Sequence, residues 1–313
     1  MMTDEKWIPD LRGDMPVSAA ALKVLTIRLG IVGERLPDAV LHADDDVEHV
    51  HQLRVGTRRA GAALRIFADT LPKRLFDKTR KALRSLRRSA GAARDWDVFL
   101  ETLQTRVARA ATKQRRGLIF LLGFAHGQRV FAQQHLHAAY ESKGDAFSEH
   151  VKQVTQSLAA SAPSDQTLSE LAVPMLTSLL EELESAARRE LAQFEVLHQI
   201  RILGKQLRYA MEIFESCFAD EFRKRYYPAI VEMQDILGLA NDSYVACQRL
   251  STVRSRLMRM QPKQWPQFQD GIEVLLRMHE RQLPKQRRRF EAWWREWMVS
   301  GAAQAFAAMI RKS

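Results

Sequence analysis

Apolar residues recur along this chain at helical spacing and form no alternating, strand-like runs. Leu22, Leu25 and Leu29 mark one face of a first helix over about 16–36, with Pro16 in its first turn, where a missing N–H costs nothing. Asp44, Asp45 and Asp46 supply an N-cap and first-turn negative charge for a second helix running to about Thr70. Leu71-Pro72 separates it from a third helix, expected to end near Gly91, after which Asp95 fits an N-cap for Val98 onward. A long helix follows over about 112–140. The stretch 157–166, rich in Ser and Ala and containing Pro163, reads as a linker. Beyond it the pattern predicts helices near 167–194, 196–218, 221–239, 242–260 and 266–298, then a short terminal one. Asp242 fits the cap before Val245, and Pro174, Pro228 and Pro284 are expected to kink or delimit these helices.

The same elements occur twice. His51-Gln52-Leu53-Arg54-Val55-Gly56-Thr57-Arg58 returns 147 residues later as His198-Gln199-Ile200-Arg201-Ile202-Leu203-Gly204-Lys205. Ile66-Phe67 meets Ile213-Phe214, and Gly91-Ala92-Ala93-Arg94-Asp95 meets Gly238-Leu239-Ala240-Asn241-Asp242, in the same register. Three blocks without a gap argue for a tandem duplication. The expected fold is therefore all-α: two matching bundles of four or five helices each, over about 15–145 and 167–310, behind an extension at 1–14.

Charge placement sharpens this picture. The chain carries a formal net charge of +11, which favours anionic partners but by itself is equally a device for solubility. Turning 100° per residue from His198 places Arg201, Lys205 and Arg208 between roughly 280° and 340°, opposite an apolar stripe of Ile200, Leu203, Leu207, Met211 and Phe214. His51, Arg54, Arg58 and Arg65 repeat that arrangement. Packing accounts for the apolar stripe, but nothing in folding asks for like charges stacked one turn apart, because such pairs repel. Between Arg54 and Arg88 there are twelve Lys or Arg against only Asp69 and Asp77. Lys81, Arg84 and Arg88 share one stripe of the third helix, with Arg80, Arg87 and Arg94 on the adjacent one. In the second copy Val231, Gln234 and Asp235 stand where Arg84, Arg87 and Arg88 would be, and Arg223–Arg225 or the run 285–289 is expected to compensate.

The segments His51-x-x-Arg54-x-x-x-Arg58-Arg59 and His198-x-x-Arg201-x-x-x-Lys205 resemble the signature of the CHAD family, the conserved histidine α-helical domain. Leu86-x4-Gly91-x-x-Arg94-Asp95-x-Asp97-Val98 and Leu237-Gly238-x-x-Asn241-Asp242-x-x-Val245 resemble its second motif, again once per half. The resemblance implies one domain over 15–313, with bundles related by a pseudo-twofold axis and a basic channel or groove between them that binds inorganic polyphosphate. It also implies association with polyphosphate granules, as for some members. His51, Arg54, Arg58, Arg59, His198, Arg201 and Lys205 would line the channel, as would Arg208, which matches a position often basic in the family. Its counterpart Gly61 departs from that pattern, and Arg65 is expected to supply the missing contact. Lys81, Arg84 and Arg88 join the candidates by their stripe. The Glu-x-Glu-x-Lys element of the triphosphate tunnel metalloenzyme domain fused to other members is not found in this sequence.

Other classes fare less well. A nucleic-acid binder could use the same basic faces with Trp293, Trp294 and Trp297 as stacking platforms, but helix packing is the simpler account of those tryptophans, and no helix-turn-helix, zinc-finger or RRM pattern is present. No P-loop, HExxH or nucleophile elbow points to an enzyme. Asp95 and Asp97 could hold Mg²⁺, yet the repeat reads Asp242-Ser243-Tyr244 and loses the second carboxylate. His49/His51 and His135/His137 face apart on a helix, so no metal or cofactor is expected. A scaffold docking partners on the acidic patch 44–48, or on Glu181, Glu182 and Glu184, is conceivable, although solvated faces are the default. The longest apolar run, 118–125, is too short to span a bilayer, and the polar start Met1–Lys6 is unlike a secretory signal. Cys217 and Cys247 match no disulfide or zinc spacing, as suits a reducing cytoplasm.

Overall fold

The computed structural model describes residues 6–311, the side chains of residues 143 and 145 excepted. Residues 1–5, on which much of the argument against a secretory signal rested, lie outside the described residues. The fold is all-α: α1 Val17–Leu41, α2 Glu48–Ile66, α3 Lys73–Ala108, α4 Thr112–Ala159, α5 Leu168–Ala187, α6 Phe194–Phe214, α7 Tyr227–Met260, α8 Trp265–Val299 and α9 Ala302–Arg311. Pro16 stands at the N-cap of α1, and Thr167 opens α5 with a capping box closed by Glu170. These two starts pair with each other: Val17 N–H donates to the Gln166 carbonyl at 2.9 Å, and Leu168 N–H to the Met15 carbonyl at 2.8 Å. No helix among the described residues is long and apolar enough to cross a membrane. Cys217 and Cys247 are unpaired, and burial pushes both thiols up.

Several boundaries differ from the sequence reading. α3 does not stop at Gly91, nor α7 at Gly238, and neither Asp95 nor Asp242 caps a helix. Gly91 serves close approach instead: its carbonyl accepts from Arg54 Nη1, and a Cβ there would stand 3.2 Å from that nitrogen. α4 continues to Ala159 because Phe147, Val154 and Leu158 prolong its buried stripe. The helix expected over 167–194 ends at Ala187, and α6 starts afresh at Phe194. At the start of α2 it is Val47 that occupies the N-cap, while the Asp46 carboxylate accepts from Glu48 N–H at 2.8 Å. Pro174 and Pro284 lie inside α5 and α8, whereas Pro228 sits in the first turn of α7, where it is tolerated.

Two hydrophobic clusters organise the packing. The larger draws on every helix from α1 to α9, with Leu25, Leu53, Leu64, Leu207 and Phe214 sealed from solvent. The smaller joins the far ends of two helical hairpins, α3–α4 and α7–α8, through Leu103, Leu121, Leu250 and Ile272. At that end α4 and α8 meet backbone to backbone. A Cβ on Gly117 would fall 2.2 Å from the Phe268 carbonyl oxygen, and one on Gly271 would fall 2.4 Å from that of Gln114. Nearer the large cluster, α2 lies against α6. The first half of the chain thus touches the second at α2/α6 and again at the hairpin tips.

A buried ionic knot locks the α2/α6 junction. Glu212 of α6, 1% exposed, accepts from Arg59 Nε at 2.7 Å and from Tyr227 Oη at 2.9 Å, with Arg28 of α1 at 3.9 Å. Arg28 also donates to the Lys6 carbonyl, and Trp7 packs on Tyr227, so residues 6–8 are part of the same junction.

Candidate functional site

The α2/α6 contact brings the two cationic stripes face to face. Arg54, Arg58, Arg201 and Lys205 together line a cavity of about 640 Å³, completed on its α3 side by Arg87 and Arg88. Each half-stripe is presented this way because its opposite face is buried: Leu53 and Ala60 on α2, Ile200 and Leu207 on α6. Gly204 lets α6 settle close to α7, since a Cβ there would stand 2.1 Å from Gln234 Nε2. Among the described residues the one acid lining the cleft is Asp95.

Asp95 is a tether. Its Oδ1 accepts from Arg54 Nη1 at 2.6 Å, which fixes the guanidinium against α3. Arg249 of α7 donates to the Asp95 backbone carbonyl at 2.7 Å while lying 4.1 Å from the Trp96 ring centroid. The neighbouring Asp97 is buried and bonded to Arg129. The two carboxylates considered as a Mg²⁺ pair are therefore each committed to a different arginine. Among the described residues no group of three metal-ligating side chains occurs.

Burial and mutual repulsion act on the converging cations. Burial, with Arg58, Arg201, Arg54 and Arg208 around it, drives Lys205 from its usual 10.5 down to about 6. Arg58 falls to about 10, mainly through burial and then through Arg54. Burial also lowers Arg201, although Asp242 and Asp95 partly offset this. At neutral pH the cleft therefore holds a lysine that rejects its own proton. An anion placed among these groups reverses that balance, and guanidinium pairs then grip it with charge-assisted hydrogen bonds.

The remaining sequence candidates fall into distinct places. His51 and His198 do not line the cavity; each sits one helical turn before its arginine, His51 half-buried and His198 exposed beside Asn241 at 3.3 Å. Burial holds His51 below 6.5, helped by Arg94, Arg54 and Arg58 and opposed by Glu48. Arg65 does reach the cleft, from an exposed position at its edge. Arg59 does not: it turns the other way into the Glu212 knot, because a buried carboxylate binds a guanidinium more firmly than water does. Arg208 is not a lining residue either; it donates to Tyr209 Oη at 3.1 Å and lies 4.9 Å from the centre of that ring. Arg88 lines the cleft, whereas Lys81 and Arg84 lie further along α3. Trp293 and Trp297 stack at 5.4 Å, and Trp297 is buried against Tyr226 and Phe306, so helix packing accounts for the stack they form.

Sequence reasoning missed Asp95 as tether and Arg249 as its support. The pairing Arg54–Asp95 had one available signal, since each half couples a motif arginine with an acid of its second motif.

Fold and site together define an all-helical protein with a cation-walled cleft where α2 meets α6. The CHAD domain family model matches residues 34–251, and the chain belongs to that family. Its fold is similar to that of the CHAD domain from the plant Ricinus communis, with a TM-score of 0.73 and 24% identity over 92% of this chain and 94% of that one. It is also similar to PptA from Streptomyces chartreusis, with a TM-score of 0.67 and 19% identity over 90% of this chain and 99% of that one. No curated protein matches the sequence.

Proposed function

We propose that this protein binds inorganic polyphosphate without chemically altering it, with the α2/α6 cleft as its channel, and that this binding associates it with polyphosphate granules. The carrying observation is the convergence of Arg54, Arg58, Arg201 and Lys205 from both halves on one cavity. Folding alone penalises that arrangement, because Lys205 loses its proton there. Family membership supports the choice of ligand, and a linear polyanion with one charge on every unit suits a row of cations spaced by helical turns. Among the described residues the one acid lining the cleft, Asp95, is bonded to Arg54, so no free carboxylate pair is there to activate water, which favours holding over cleaving.

Nucleic acid is the competing ligand, and the packed tryptophans weaken that reading. Fluorescent double-stranded DNA and long-chain polyphosphate are to be competed at equal phosphate concentration, with Mg²⁺ present and free phosphate assayed in parallel. Polyphosphate is expected to displace DNA, affinity to fall steeply with salt, and no phosphate to be released. Displacement in the reverse direction assigns the cleft to nucleic acid, and phosphate release makes the protein an enzyme.

A further inference from the structure

The basic surface does not end at the cleft. Arg88 also lines a second cavity of about 570 Å³ between α3 and α4, whose α3 wall continues through Arg84 and Lys81 to Lys78. Ala82, Ala146 and Phe147 form its floor, and His150 of α4 stands there with a buried Nδ1 that has no hydrogen-bond partner. Lys81 and Arg84 line a third cavity too, between α2 and α3, which meets the cleft at Arg65 and Arg87. The three cavities share basic walls and make one track around α3. From Arg88 to Lys78 it extends about 15 Å, at 1.5 Å per helical residue. Among the described residues, none of Lys78, Lys81, Arg84 and Arg88 pairs with a carboxylate; Asp77, in the third cavity, is held by Arg80 at 3.4 Å.

The chain contains its own control for whether the fold demands these cations. At the 147-residue offset, Arg225, Ala229, Glu232 and Ile236 take the places of Lys78, Ala82, Ser85 and Ser89, and they line a corresponding cavity of about 510 Å³ between α7 and α8. Tyr226, Trp293 and Trp297 occupy its walls together with Glu232 and Glu296. Pro228, Val231 and Asp235 stand at the offsets of Lys81, Arg84 and Arg88. The same kind of groove is thus built without a cationic stripe in the second half. In the first half, the like charges stacked on an exposed helix face answer to something other than packing.

We propose that a phosphate chain longer than the cleft leaves it over Arg88 and continues along the α3–α4 groove on Arg84, Lys81 and Lys78, so that the protein discriminates long chains from short ones through its first half only. This rests on the polyphosphate reading of the cleft. The test compares Lys78→Gln/Lys81→Gln/Arg84→Gln with the wild-type protein, using tripolyphosphate and long-chain polyphosphate as ligands. Long-chain affinity is expected to fall about tenfold or more and the log–log salt slope to flatten by about 2, at ~0.7 per lost contact, while tripolyphosphate binding is unchanged. A matched variant at the hairpin tip, Arg256→Gln/Arg259→Gln/Lys263→Gln, removes equal charge from exposed positions and is expected to leave both affinities in place. Unchanged long-chain binding in the first variant overturns the track, as does an equal loss in the matched one or an equal loss for both ligands. Arg58→Gln/Arg201→Gln reports on the cleft separately. Undiminished tripolyphosphate binding there defeats the cleft reading, whereas its loss beside an unaffected α3 variant defeats the track alone.

Discussion

At the residue scale the cleft trades stability for readiness to bind. Lys205 titrates near 6 in the folded protein against an ordinary 10.5, so the unfolded chain keeps a proton that the fold rejects. Protonation therefore opposes folding, and the stability lost in this way grows as pH falls from about 10 toward 6. A bound polyanion raises the lysine again, so binding takes up a proton at pH values between the free and bound pKa, and affinity weakens as pH rises through that window. His51, also held low, adds to the effect only at its acid end. Binding is expected to be tighter at pH 6 than at pH 8, with proton uptake visible at pH 7.5 by calorimetry in buffers of different ionisation heat. Lys205→Met is expected to abolish most of that uptake, weaken binding about tenfold and stabilise the fold by about 0.5–2 kcal/mol. Lower stability in this variant, or proton uptake equal to that of the wild type, contradicts this account of the lysine. Arg54, Arg58, Arg201 and Lys205 were legible from helical spacing alone. Arg59 was not, because its partner Glu212 lies 153 residues away in the chain and only the fold brings it near.

Among the elements, the long hairpins decide where the cleft can sit. α3 and α7 run unbroken through the glycines and aspartates that read locally as helix ends. Local preferences for capping are worth only about 1 kcal/mol, and Asp95, inside α3, binds Arg54 of α2 instead. Helix type followed from pattern; α3 and α7 run past their expected ends, and α4 runs on to Ala159, into the stretch read as a linker, because its apolar stripe does. The α4/α8 crossing at Gly117 and Gly271 ties the hairpin tips together, and both contacts there are to backbone, which cannot rotate away. Gly→Ala in a helix ordinarily gains up to about 1 kcal/mol, while overpacking costs about 1–3 kcal/mol, so the crossing is expected to dominate. Gly117→Ala is predicted to lower the melting temperature in a thermal scan, and Gly271→Ala likewise. A higher melting temperature for either shows that the helices separate without cost and that their contact does not hold the tips together.

For the whole molecule the decisive relation is between two halves joined at the paired starts of α1 and α5, at α2/α6 and at the hairpin tips. The Arg28–Arg59–Glu212–Tyr227 knot fixes α2 against α6, and the second hydrophobic cluster joins the hairpin ends. The repeated motif foretold that two similar surfaces exist; it could not say that they share one cavity, because the contact between halves is written in residues such as Glu212 and Gly271 that belong to neither motif. Nor did sequence alone reveal that the histidines flank the cavity without lining it. A crystal structure of the protein grown with a short polyphosphate tests the central claim most directly. The account predicts one continuous ligand with phosphate oxygens in hydrogen-bonding reach of Arg54 or Arg58 on α2 and, at the same time, of Arg201 or Lys205 on α6. Ligand density confined to the outer surface, with the cleft empty, or held by the cations of one half alone, contradicts it.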